Sequence, residues 1–475
     1  MKKSTGGVQS RAMIRVVILF AAVVALTGCR TYQQQNKIAA HWQRSDLAAA
    51  EKEAALIADK AADGKDTIIW RLEQGTVLHA QGKYEESNKA FDQAQEKLDQ
   101  YAEEAKVKVG NEAGALLSNQ ANLPYRGRAY DGIMLNTYKA LNYLALHDAE
   151  KARVEIIRAY QRQQDAVEEN KRRIEKAEED IEKQKDKEKI KSAEKDTKVQ
   201  GKLNETYSGL DSLKVYADYV NPFTVYLDGL IFLANATGSS DLERARKSFE
   251  RASSFAPENR FLKADLEVAE AATQGKAVSP TTYVVFETGC APVRDQIRID
   301  IPIIVTRVSY LGASFPRLQL QNTQMPSLTV LANGTNETCE ALASMDSVIG
   351  HDFKNELPTI ITKTIAATVA KGIAAYAVNE AANQSGGGIG GLIAQIGTAA
   401  YQMSVNIADT RTWTTLPKEF HVCRIATPAD RKIELQPPGG AQKVSVTLEE
   451  GSMNLVLVKS ITATGPLFVS QMKLK

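Results

Sequence analysis

The chain changes its repeating pattern once, near residue 273, and that change governs what it can fold into. From about residue 31 to 272, apolar residues recur at helical spacing. Ala, Glu, Lys, Gln and Leu dominate there, and the only prolines are Pro124, Pro222 and Pro257. From Thr282 onward the sequence turns to short β-branched and aromatic runs punctuated by Gly and Pro. A run of helices followed by a run of strands points to an α+β chain. The expected parts are a removable segment over 1–28, an all-α domain over 29–272 and a β-rich domain over 273–475.

The first part is basic, with Lys2, Lys3, Arg11 and Arg15 and no acidic residue. An apolar run from Val16 to Leu26 follows, roughly half the ~20 residues that a membrane-spanning helix needs. This is the layout of a cleavable export signal. It ends in Leu26-Thr27-Gly28-Cys29, which resembles the lipobox of bacterial lipoproteins. The resemblance implies transfer of diacylglycerol to the Cys29 thiol, cleavage before Cys29 and acylation of the new N-terminus, with several acyl chains giving stable anchoring. Arg30 follows where inner-membrane retention often uses Asp, so outer-membrane attachment facing the periplasm is expected.

Three stretches of the helical region share one spacing. The first is Gly75-x-x-Leu78-x-x-x-Gly82-x-Tyr84-x-x-Ser87-x-x-x-Phe91-x-x-Ala94. Small residues let two helices approach, Gly82 suits a turn of positive φ, and the large residues fill the groove. The second is Ala140-x-x-Tyr143 with Ala149-x-x-Ala152-x-x-x-Ile156-x-x-Ala159, where His147-Asp148 replaces the turn glycine. The third contains Gly229, then Ala245-x-x-x-Phe249-x-x-Ala252-x-x-x-x-Pro257, around a turn about four residues longer. This spacing resembles the tetratricopeptide (TPR) unit, which implies a TPR-like helical solenoid with a concave surface for a protein segment. Between the second and third stretches, about 161–202, lies a charge-dense insertion with Val167, Ile174 and Ile181 every seven residues. It is expected to project as a solvated helix or short coiled-coil hairpin.

In the β-rich part, strands are expected near 283–289, 297–308, 318–321, 327–332, 420–425, 432–435, 443–448 and 453–461, with a turn at Asn333-Gly334. A Gly/Ala-rich α-hairpin is expected as an insertion at about 357–407, its two helices joined by the glycines of 386–391. Two readings stand for it: a buried hairpin covering the sheet, or a segment that enters a membrane or an oligomer core. The sequons at Asn333 and Asn336 are read as chance. Cys290, Cys339 and Cys423 are too far apart in sequence for a C-x-x-C metal site. One pair joined as a disulfide and three buried free thiols are both open.

Several phrases resemble an uncharacterised family of bacterial TPR-containing outer-membrane lipoproteins. They are Phe286-Glu287-x-Gly289-x-Ala291-Pro292, Arg298-Ile299-Asp300-Ile301-Pro302, Ala408-Asp409-Thr410-Arg411-x-Trp413-x-x-Leu416-Pro417 and Ala140-Leu141-Asn142-Tyr143-Leu144. The family carries no established activity; the resemblance implies an envelope role. No H-E-x-x-H, nucleophile elbow or phosphate loop is present, and the net charge of +2 gives no electrostatic footprint for nucleic acid. Neither catalysis nor a metal or cofactor is expected. Asp409, Arg411 and Trp413 form a possible loop cluster, read first as a salt bridge and a packed indole that dock the hairpin on the β-domain. The favoured function is a membrane-anchored scaffold that binds a protein partner of the cell envelope; a pore-like component built on 357–407 is the alternative.

The anchor is tested by metabolic labelling with a fatty acid. Wild type should incorporate label and sediment with membranes, and Cys29→Ala should do neither. Two unlabelled, equally membrane-bound forms would remove the anchor.

Overall fold

A computed structural model describes residues 31–61, 64–107, 120–214, 216–217, 219–305, 308–385, 407–440 and 442–475. Cys29 and the signal segment lie outside the described residues, as do the glycines and most of the second arm of the expected hairpin. The described chain is α+β, with helices first and a β-rich region after them.

The helices are α1 (31–43), α2 (Leu47–Lys60), α3 (Thr67–Ala80), α4 (Tyr84–Val107), α5 (Ala129–Ala145), α6 (Ala149–Glu182), α7 (Lys187–Glu194), α8 (Thr197–Tyr207), α9 (Pro222–Ala234), α10 (Ser239–Phe255) and α11 (Arg260–Thr273). Short polar side chains start many of them. Asp46, Asp148, Asp196, Asn221 and Asn259 each accept hydrogen bonds from first-turn N–H groups, which helix geometry leaves without partners. Four helices end alike. Ser45, Gly82, His147 and Gly275 have φ of 59°, 74°, 57° and 85°, and the next N–H reaches back to His41, Leu78, Tyr143 or Ala271. His147 thus does the work of Gly82 in the second stretch.

Consecutive helices pack as pairs: α3 on α4, α5 on α6, α9 on α10. A Cβ built on Gly75 would lie 2.4 Å from Phe91, and one on Gly229 would lie 2.9 Å from Phe249. The aromatic rings therefore occupy the space that a side chain would take. Leu78, Phe91, Ala94, Ala152, Ala159, Ala245, Phe249 and Ala252 are buried in these pairs. Tyr84 and Tyr143 are half-buried, and Pro257 is exposed in the turn between α10 and α11.

The strands are β1 (Thr281–Thr288), β2 (Val293–Val305), β3 (Val308–Gln319), β4 (Thr329–Ala332), β5 (Thr335–Thr338), β6 (Glu340–Ser344), β7 (Glu419–Ala426), β8 (Lys432–Gln436), β9 (Val444–Thr447), β10 (Met453–Ser460) and β11 (Phe468–Lys473). A five-stranded sheet runs β11-β10-β1-β7-β6, with β1 and β10 parallel and the other neighbours antiparallel. Every residue of β1 and β10 is buried. Tyr283, Val285, Leu455 and Leu457 pack into the helical core, while Val284, Phe286, Val456 and Val458 meet a second, four-stranded sheet, β5-β4-β8-β9. The order is helices, central sheet, small sheet. The expected parts 29–272 and 273–475 consequently share one core.

The charged insertion does not project. α6 runs as one helix to Glu182, and α7 and α8 fold back onto the ribbon β2–β3. Ile181, Ile190, Ala193, Val199, Leu203 and Tyr207 are buried with Ile299, Ile301 and Phe315. A two-stranded ribbon must cover its apolar face, and these helices do so; Val167, part of the expected seam, is exposed. The inserted helix α12 (Met345–Ser385) begins twelve residues before the expected 357. The N–H of Ser347 donates to Ser344 Oγ, which caps its start, and Pro358 lies inside it.

Gly75→Ala should cost about 1–3 kcal/mol of stability by overpacking. Phe91→Leu should recover part of that loss in the double variant, measured by chemical denaturation. Additive losses would show that the glycine is not there for the ring.

Candidate functional site

The segment from residue 407 to 418 returns from α12 to β7 across the helical layer rather than across the β-region alone. Arg411, 4% exposed, uses all five N–H groups. Its Nε and Nη2 donate to Asp409 at 2.7 and 2.8 Å, its Nη1 to Asp66 at 2.7 Å and Leu123 O at 2.8 Å, and Nη2 also to Gln120 O at 3.1 Å. Burial alone would raise the Asp409 carboxyl; Arg411, and beyond it Arg128 and Arg294, outweigh burial and hold it far below the usual range. Trp413 is fully buried among Phe91 and Tyr138, and its Nε1 donates to Thr76 and Thr415. Glu73 of α3 accepts from the N–H and hydroxyl of both Thr414 and Thr415. The expected loop cluster is therefore a clasp, and it docks the segment on α3 and its neighbours. Asp409 and Arg411 meet; Trp413 points elsewhere.

Beside this clasp, α4, α5, α6 and α12 wall a cleft of about 1030 Å³. Its described lining carries eleven Arg or Lys and eight Asp or Glu, so the wall is net basic. On α12, Ile360, Lys363, Thr364, Ala367 and Lys371 line it, spaced so that they share one face. On α6, Arg158, Gln161, Arg162, Asp165 and Arg172 do the same. Besides Arg411, Arg128 and Arg294 are buried basic members of the lining, 7% and 3% exposed. Arg128 Nη1 donates to Tyr125 Oη and to Arg411 O, both at 2.7 Å, and Arg294 Nη2 donates to Glu356 at 2.8 Å. The Nε groups of both arginines have no hydrogen-bond acceptor, although Arg128 Nε lies 3.7 Å from Glu356. Burial and the neighbouring Glu356 push the Asp352 carboxyl up, while burial of Glu356 is outweighed by Arg294 and Arg128, which hold it down. The described lining includes neither histidine nor cysteine, and what it offers a ligand is positive charge and shape.

Sequence reasoning missed Asp66, Glu73, Arg128, Arg294 and Glu356. The available signal was local: Glu73 directly follows the largely apolar stretch Ile68-Ile69-Trp70-Arg71-Leu72, and a charge beside such a face needs a partner. Of the histidines, His79 is enclosed. Its Nδ1 lies 2.6 Å from Asn142 Oδ1, and its ring is 4.9 Å from Tyr138. Burial first, then Lys459, lower its pKa to about 3.

That shift fixes a sign. The unfolded imidazole takes a proton below about pH 6.5, whereas the folded one resists until about 3, so His79 removes stability as pH falls through that window, by up to about 1.4 kcal/mol per pH unit. Glu73 and Asp265, both raised by burial to about 7, act in the opposite direction, losing stability as pH rises toward 7. Comparison with His79→Gln isolates the histidine. The advantage of wild type over the variant should shrink by about 2 kcal/mol between pH 7 and 5. A gap independent of pH would mean that His79 is not held neutral.

Compared with known proteins, the chain matches no family model, no curated protein and no solved structure.

Proposed function

We propose that this protein is a lipid-anchored scaffold of the cell envelope, held through Cys29 in the outer membrane and facing the periplasm, which binds an acidic segment of a protein partner in the cleft between α4–α6 and α12. The cleft is the observation that carries the reading: it is large, net basic, and lined by two buried arginines whose Nε groups lack acceptors. A carboxylate-rich segment complements such a wall, because charge-assisted hydrogen bonds to guanidinium are about twice as strong as neutral ones.

We read the helix pairs as TPR-like. The seating of Phe91 on Gly75 and of Phe249 on Gly229 supports this, as do the equivalent turns at Gly82 and His147. The face of α3 and α5 is already taken by residues 411–415, which moves the partner's place to the cleft. Membership of the uncharacterised TPR-containing lipoprotein family is part of the same proposal and agrees with an envelope role. The pore-like alternative on 357–407 has less support. Leu357, Ile365 and Val369 are buried against the ribbon, and among the described residues no helix is long and apolar enough to cross a membrane.

The test places a photoreactive residue at position 161 of the full-length protein in cells. One envelope protein should be crosslinked, an acidic peptide should compete, and Arg158→Glu with Arg172→Glu should reduce the yield several-fold. No product, or a product indifferent to the charge reversal, would overturn the proposal.

A further inference from the structure

Cys423 lies on β7, and Cys339 stands between β5 and β6, immediately before the first residue of β6. β6 pairs with β7 so that Glu340 faces Val422, and one step back along the same register puts Cys339 opposite Cys423. Their sulfurs are 3.3 Å apart. The N–H of Cys339 donates to Leu328 O at 2.8 Å and is not spent on β7, as in a pair of facing residues without mutual hydrogen bonds. Such facing pairs bring the Cα atoms to about 4.5 Å, inside the range that a disulfide spans. Both side chains are buried between the central and small sheets, with Val284, Leu328, Val330 and Ile425 around them. Cys290 is separate, in a cluster with Trp42 and Ile461, and its thiol points to Ile461 O.

We infer that Cys339 and Cys423 form a disulfide in the mature protein, installed before the core closes over them, and that Cys290 stays a free thiol. This rests on the reading that the chain is exported to an oxidising compartment. The oxidant is the disulfide of a thiol–disulfide oxidoreductase. One cysteine thiolate attacks that disulfide, forming a mixed disulfide and releasing one thiol of the oxidant. The second thiolate attacks the protein sulfur of the mixed disulfide, closing the 339–423 bond and releasing the other thiol. Two protein thiols are oxidised, one disulfide of the oxidant is reduced to a dithiol, and the two protons end on its sulfurs. Timing follows from burial. Once folded, the Cys423 thiol is held protonated, by its hydrogen bond with Cys339 and then by burial, so the folded pair reacts slowly. The bond closes the base of the excursion from β6 through α12 to β7, a loop of 84 residues in sequence separation.

The experiment isolates the full-length protein from cell envelopes, alkylates free thiols under denaturing, non-reducing conditions and maps peptides by mass spectrometry. The expected result is a linked pair of peptides containing Cys339 and Cys423, lighter by two hydrogens, with Cys290 alkylated. Cys339→Ser with Cys423→Ser should lower the unfolding temperature by several degrees, and reduction should do the same to wild type but not to the double variant. Refolding reduced protein in a glutathione redox buffer separates pairing from compartment. Linkage on refolding but not in protein from cells would overturn the exported reading and the native disulfide with it. Linkage in neither would overturn the pairing alone.

Discussion

Two adjacent strands, β1 and β10, have no face toward water, and the rest of the structure is arranged around that constraint. A strand buried on both sides needs a partner layer on each. The helices provide one and the four-stranded sheet the other. The strands come from opposite ends of the β-rich region, Thr281–Thr288 and Met453–Ser460, yet align residue for residue. Within this pair Glu287 stands beside Lys459, both buried, on the side that faces the helices, where Tyr138 bonds to each. Breaking one member of such a pair leaves an uncompensated charge, so the ion pair fixes the register more than it adds stability.

The same logic recurs wherever layers meet. Arg411 with Asp66, Arg424 with Asp265, and Lys418 with Asp346 each link parts of the chain distant in sequence and are largely enclosed. Apolar contact is tolerant of small slips, whereas a guanidinium with five satisfied donors is not. The helical layer therefore meets the β-region in one orientation. The cleft lies beside these junctions, and its buried arginines continue the same network, their two Nε groups enclosed without an acceptor.

Much of this was legible in the chain and some was not. The helix pairs were, because a small residue opposite a large one at fixed spacing has few other uses, and Gly75 and Gly229 both seat a phenylalanine. The strands rich in β-branched residues were also legible, and Asn333-Gly334, with φ of 53° and 74°, makes the expected hairpin turn. β6 was not: Glu340-Ala341-Leu342-Ala343-Ser344 favours helix by local propensity, and only pairing with β7 makes it a strand. The charged insertion misled because its buried positions serve a ribbon that lies about a hundred residues later. Nor could the site be read. Charged residues are 24% of the chain, and which of them converge is a property of the fold.

The segment carrying Trp413 touches Thr76, 337 positions earlier in the chain. A protein is synthesised from its N-terminus, so helix α3 exists long before the indole that completes its surroundings. Until then the pocket framed by Phe91 and Tyr138 faces solvent, and the helical layer also lacks the sheet it packs on. Closing contacts over such separations is slow. A chain that ends before its last strands therefore lacks the layer that covers these helices.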